Sequence, residues 1–287
     1  MPKSKWNLNT IYISERLQES LRPISRCAMT TVVAPMGYGK TTAVEWYLAE
    51  RAGAEAPYIV RISVYSSNLA IFWKSVQDAF ARAGFAFLRE YDCPTDGASG
   101  GLLIDDLCHA LTGEKSCYIF IDDFHLLTDK RAPGFLCALA GRLPPNVHLI
   151  LASRDLFLPA AELVRLGGKV YQIGTAQLRL NHTELAVYTK RCGTALSDEQ
   201  IDTLLYYSEG WFSAVYLNLR MFSEHGVLPD PNSDISSIFT AAMIDPLPEK
   251  QREFLAVMGL ADEFTVEMAQ FVMADAHAED LLAALTG

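Results

Sequence analysis

The sequence predicts an α/β protein whose first 175 residues form an open parallel sheet and whose remainder is all-helical. Three observations predict it. Short runs that are apolar on both faces recur in the first part, as buried parallel strands require. Helical patterns separate those runs, which argues for right-handed strand–helix–strand crossovers. After about residue 176 the strand pattern stops and helix-capping pairs replace it.

The elements read in order as follows. The apolar runs are TTVVAP (30–35), PYIVRISV (57–64), CYIFID (117–122), VHLILAS (147–153) and the weaker KVYQIG (169–174). Helical patterns lie between them at 41–52, 69–84, 101–112 and 132–142. In the tail, Asn181 with Glu184 and Ser197 with Gln200 have the spacing of an N-cap and its N3 partner, and the second helix ends on Gly210. A third helix, 211–225, precedes GVLPDPNSD (226–234), which reads as a linker. Helices at 235–244, 248–259 and 265–273 follow, and AEDLLAALTG ends in or just after a helix.

Composition narrows the function. The chain has 287 residues, half apolar and a fifth charged, with no repeat or disorder signature. A formal net charge of −10 argues against binding nucleic acid through the bulk surface. The N-terminus, MPKSKWNLNT, lacks a signal-peptide apolar region, and no run of about 18 apolar residues predicts a membrane span. Six cysteines, Cys27, Cys93, Cys108, Cys117, Cys137 and Cys192, show no metal-ligand spacing. They read as reduced thiols of a cytoplasmic protein.

The stretch APMGYGKTT carries the chemistry. A small residue, four variable positions and Gly-Lys-Thr between a strand and a helix form a P-loop. Ala34 takes the position often held by glycine, and Pro35, Met36, Gly37 and Tyr38 span the gap to Gly39. The two glycines permit the backbone turns that gather N–H groups into an anion nest, and the helix beginning near Thr41 and Thr42 aims its positive end at the phosphates. Lys40 is expected on the β- and γ-phosphates of ATP or ADP, and the Thr41 hydroxyl on Mg²⁺. Such a loop needs an acid at the end of a neighbouring strand, and YIFIDD supplies two about 80 residues further on. Asp122 is expected to hold Mg²⁺ through water and Asp123 to orient the attacking water. Arg154, closing the ASR that ends a third strand, fits either a γ-phosphate contact or a surface ion pair.

The strings APMGYGKTT, FIDDFHLL, LILASRD and SEGWFSAVYLNL, with ISERL and FWKSV, make the chain similar over essentially its whole length to one family. It resembles the nucleotide-binding module of MalT-like, large ATP-binding LuxR-type transcription regulators, which are STAND-class P-loop NTPases. The resemblance implies a P-loop domain of ASCE type at 1–175, a helical domain at 176–232 and an incomplete winged-helix domain at 233–287. It implies an ATP/ADP switch with ATP-dependent self-association. It further implies an inducer acting on a missing C-terminal region, and DNA binding through a missing C-terminal helix-turn-helix. The chain then reads as the N-terminal fragment of a longer regulator. By the same resemblance Arg16, with Tyr12 and Ile13 beside it, is placed at the nucleotide; the alternative is an ordinary helix-surface arginine. Phe212 stands where the family has a proline against the adenine. No match to the family's late histidine precedes Gly287, and His277 reads as an exposed residue. His125 reads as loop packing or a hydrogen bond, with a catalytic role as the lesser alternative.

Two other classes remain open. An AAA-type motor or DNA-processing ATPase needs an arginine finger, for which Arg142 or Arg165 would serve, and a basic channel, of which the sequence shows no sign. A small-molecule kinase needs an acceptor pocket and an arginine-rich lid, and neither is evident.

Overall fold

The computed structural model describes residues 10–193, 196–225, 228, 244, 247–261, 264–275 and 277–286. The expected linker at 226–234 and helix at 235–244 lie outside these residues, apart from Leu228 and Ile244.

Five strands form the sheet: β1 Met29–Val33, β2 Tyr58–Ser63, β3 Cys117–Asp122, β4 Val147–Ser153 and β5 Val170–Ile173. They are parallel and run in the order β2-β3-β4-β1-β5. The strand carrying the paired acids is therefore not the immediate neighbour of the loop-bearing β1, as a reading of the chain in sequence expects. The wholly buried β4 lies between them.

Helix α1 Glu15–Leu21 precedes the sheet; the crossover helices are α2 Lys40–Glu55, α3 Leu69–Arg82, α4 Gly97–Leu111, α5 Arg131–Arg142 and α6 Ala160–Leu166; α7 Thr175–Leu178 follows the last strand. Strand alternation divides them between the two faces of the sheet. Met29, Ile119, Ile121, Leu149 and Leu151 face α3, α4 and α5. Val32, Tyr118, Phe120, Ile150 and Ile173 face α1 and α2. Burial of both faces explains why the inner strands β1, β3 and β4 read as largely apolar runs. Helix α4 starts four residues earlier than its apolar pattern suggests. Asp96 accepts from the Ser99 backbone at 2.8 Å and closes a capping box at a helix start weakened by Gly97, Gly100 and Gly101.

Three helices follow: α8 His182–Arg191, α9 Asp198–Ser208 and α10 Phe212–His225, packed around Leu185, Tyr188, Leu204 and Val215. Both expected capping boxes form, at Asn181–Glu184 and Ser197–Gln200. Between α9 and α10 the chain turns through Glu209 and Gly210, both at positive φ. The Leu180 N–H donates to the Gly210 carbonyl at 2.9 Å. A Cβ on Gly210 would strike the Leu180 backbone carbonyl. Last come α11 Glu249–Met258, α12 Val266–Met273 and α13 Ala278–Thr286, gathered around Phe254, Met258 and Ala269. His277 is exposed and lies 3.4 Å from the Asp280 carboxylate.

Gly210→Ala is expected to destabilise the protein by at least about 1–3 kcal/mol, the usual cost of a strained backbone position, with the Leu180 clash added. Urea unfolding followed by circular dichroism measures this, and an unchanged midpoint would contradict the close approach.

Candidate functional site

The loop between β1 and α2 takes its shape from two glycines. Gly37 has φ +80° and Gly39 φ +74°, the left-handed region that side chains disfavour. Gly39 caps α2 without any side-chain hydrogen bond, so the first N–H groups of the helix stay available to an anion. Lys40 is buried, and its ammonium donates to the carbonyls of Ala34 at 2.8 Å and Pro35 at 3.0 Å. Burial pushes its pKa down; the carboxylates of Asp123 and Asp122 oppose this, and Arg154 adds to it. An incoming polyanion would relieve that cost. Met36 is exposed on the outer side of the loop.

The two acids lie across this loop. Although β4 intervenes, the Thr41 hydroxyl, in the first turn of α2, donates to Asp122 Oδ2 at 2.8 Å. Burial raises the Asp122 carboxyl above its ordinary value, while Thr41 and the Asp123 N–H, 2.9 Å from Oδ1, hold it down. Asp123 caps a short helical turn in the left-handed conformation, φ 53°, which aspartate tolerates better than most residues. A hydroxyl and carboxylates at one point form the hard oxygen set that Mg²⁺ prefers, so these residues fit the ion.

His125 packs beneath the acids, its Nδ1 3.9 Å from Asp123 Oδ1, and neither ring nitrogen makes a hydrogen bond. Of the two roles read from sequence for the loop, packing is the one found. Burial and the charge of Arg154 lower its pKa, favouring the neutral ring. Arg154 is exposed and makes no hydrogen bond or ion pair among the described residues. Its guanidinium is near enough to depress both Lys40 and His125.

The start of α10 docks on the loop itself. Trp211 Nε1 donates to the Met36 carbonyl at 2.9 Å. The Ser213 N–H and hydroxyl both donate to the Gly37 carbonyl, at 3.1 and 3.2 Å. The Trp211 ring stacks on Tyr38 at 6.3 Å. A Cβ on Gly37 would run into the Ser213 hydroxyl, so this glycine serves both the turn and the docking. Sequence reading singled out Gly210, Trp211 and Phe212 but not Ser213, whose short side chain carries no signal of its own.

Beside the loop is a cavity of about 260 Å³, bounded by residues 10–14, Tyr38, Gly39, Thr42, Phe212 and Tyr216. Tyr12 and Ile13 line it, and Phe212 packs on Tyr188 at 5.3 Å between ring centres. Arg16 also borders the cavity, but its guanidinium is committed elsewhere. It forms a two-pronged pair with buried Glu184, 2.9 Å at each contact, and donates to the carbonyls of Ala176 and Arg179. Glu184 therefore caps α8 and anchors α1 at once; the capping box revealed only the first role.

No family model matches the chain. It is 21% identical over 297 aligned residues to the HTH-type transcriptional regulator MalT of Vibrio campbellii, covering 96% of this chain. It is 23% identical over 211 residues to MalT of Yersinia pestis, covering 73%. The aligned part is 31% of the Vibrio protein and 23% of the Yersinia protein, so the chain spans under a third of either relative. Among solved structures, the Walker-type ATPase PABY2304 of Pyrococcus abyssi superposes with a TM-score of 0.51 at 12% identity. That superposition covers 100% of this chain and 91% of the archaeal one. The fold is that of a P-loop NTPase, and over most of its length the chain is similar to MalT-type regulators.

Burial pushes the Glu184 carboxyl up, but hydrogen bonds from Arg16, Ser14 and the Asn181 N–H outweigh it and leave the pKa lowered. A lowered carboxylate pKa stabilises the fold above the unfolded value of about 4.3 and ceases to do so as pH falls through the folded value. Glu184→Gln is expected to cost roughly 1–3 kcal/mol at pH 7. The gap in unfolding midpoint between variant and wild type should close on acidification below the ordinary glutamate range. A gap independent of pH would contradict the pairing.

Proposed function

We propose that this chain is the ATP/ADP-binding switch module of a bacterial LuxR-type transcription regulator. The observation that carries the reading is the docking of Trp211 and Ser213 on the carbonyls of Met36 and Gly37. A unit hydrogen-bonded to the phosphate loop's own backbone is sensitive to what that loop holds. The similarity to MalT supports the regulatory context.

In this reading the modules are a P-loop domain at 1–175, a helical lid at 176–232 and an incomplete winged helix at 233–287. The nucleoside enters the cavity beside Tyr12, Ile13 and Phe212, and its phosphates meet the N–H groups of the loop and α2. Lys40 exchanges its two carbonyl partners for the β- and γ-phosphates. Mg²⁺, when bound, neutralises phosphate charge beside Thr41 and Asp122. Asp123 orients water, and Arg154, which has no partner among the described residues, contacts the γ-phosphate and distinguishes ATP from ADP. That distinction is required, because a ligand shifts a conformational equilibrium only through differential affinity. Arg16 acts as a strut between α1 and α8 beside the nucleoside. The module works in the cytoplasm. Its inducer acts on a region outside this chain, DNA is bound through a helix-turn-helix outside it, and ATP promotes self-association.

Two outcomes are expected. Lys40→Ala leaves the fold intact and loses most ATP and ADP affinity, measured with a fluorescent nucleotide; unchanged affinity would overturn the nucleotide reading. Wild-type protein hydrolyses ATP well below the roughly 1–10³ per second of typical enzymes. Hydrogen exchange at 36–40 and 210–216 should then differ between the ATP- and ADP-loaded forms. Fast steady-state turnover with identical exchange profiles would favour an AAA-type motor instead.

A further inference from the structure

A second cavity, of about 390 Å³, lies on the opposite face of the sheet and shares no lining residue with the one beside the phosphate loop. Helices α3, α4 and α5 roof it, with Trp73, Val76, Leu103, Ile104, Leu107 and Phe135 among its walls and the β3 residues Ile119 and Ile121 at its floor. Protein interiors are close-packed, whereas this recess, partly open to solvent, is left unfilled between three helices and the sheet. An apolar cavity of roughly 150 Å³ is already enough to stay dry and bind benzene.

The glycines around it explain why it stays open. Gly97, Gly100, Gly101 and Gly134 all line the cavity. None has positive φ, and a Cβ on Gly97, Gly101 or Gly134 would meet nothing within 4 Å. On Gly100 it would make ordinary contact with the Phe135 ring at 3.5 Å. Neither backbone conformation nor close packing therefore requires glycine at these positions. Three of them lie in the first five residues of α4, where glycine weakens a helix relative to alanine. Gly97 and Gly134 are exposed, whereas Gly100 is buried and Gly101 half-buried in the wall, and what these two provide is space.

The polar groups of the wall define what fits. The Trp73 indole N–H donates to the Tyr91 carbonyl at 3.0 Å. The Asp96 carboxylate is taken up by Ser99, Arg131 by Asp129 and the Thr95 carbonyl, and Arg142 by Asp105. No charged or indole group of the wall is left seeking a partner, so an occupant gains by burying apolar surface and loses by bringing in polar atoms. We propose that this cavity is a binding site for a compact, apolar, ring-containing small molecule, separate from the nucleotide site. Phe124 forms part of its wall, directly follows Asp123 and packs on Phe157 at 4.6 Å, so the occupant touches the segment that carries the acids.

Naphthalene is a suitable probe, titrated calorimetrically into the whole chain. One saturable site is expected, together with a raised unfolding temperature. Gly100→Leu and, independently, Ile104→Trp fill the space and should weaken binding at least about tenfold, since the volume available to the ligand is removed. Circular dichroism and thermal unfolding verify that each variant folds. A crystal grown with 1-bromonaphthalene gives a readout that needs no variant: the bromine should lie between α3, α4 and β3. Absence of saturable binding, undiminished binding to a folded filled variant, or bromine at another site would each overturn the proposal.

Discussion

The molecule is organised around a backbone constraint: between a buried strand and a buried helix, the chain must reverse through two left-handed residues. Gly37 and Gly39 meet it. Everything near the site inherits its position from that turn. It leaves the first N–H groups of α2 uncapped, sets Thr41 against Asp122, and folds Lys40 back onto the carbonyls of Ala34 and Pro35. It also aims the carbonyls of Met36 and Gly37 outward, where α10 collects them. A side chain at residue 37 would lose the turn and the docking together.

The inner strands β1, β3 and β4 were legible because they are buried on both faces, which writes them into the sequence as largely apolar runs, while the edge strands β2 and β5 carry exposed polar positions such as Arg61 and Gln172. All five strands appear close to their expected positions. Lateral order was not legible: nothing in YIFIDD or LILASRD reveals that β4 comes between β1 and β3. The start of α4 was obscured because glycines mask a helix whose cap is nonetheless strong. At the site, the loop and the acids announced themselves by residue type and spacing. The contacts of Ser213 and the Arg16–Glu184 pair did not, because they join residues more than 160 positions apart and depend on how two units meet.

Electrostatically the site is unlike the rest of this acidic protein. Arg154 and both acids act on the Lys40 ammonium, and burial disfavours the charged forms of Lys40, Asp122 and His125 alike. Cations and carboxylates held under mutual strain at the C-terminal edge of a parallel sheet are poised for rearrangement when a charged ligand arrives. The Arg16–Glu184 pair is the opposite case: fully hydrogen-bonded, it fixes rather than responds.

The bond between Ser213 and Gly37 spans 176 positions of the chain. This separation has a consequence for synthesis. The sheet and its crossover helices are complete in sequence by Ile173, before the segment that docks on the loop has left the ribosome. At that point the loop's glycines are in the chain, but the donors of its outer hydrogen bonds, Trp211 and Ser213, are not. Such distant contacts are also the ones whose loop-closure cost is met last. The outer bonds of the loop are therefore the last of its contacts that synthesis can supply.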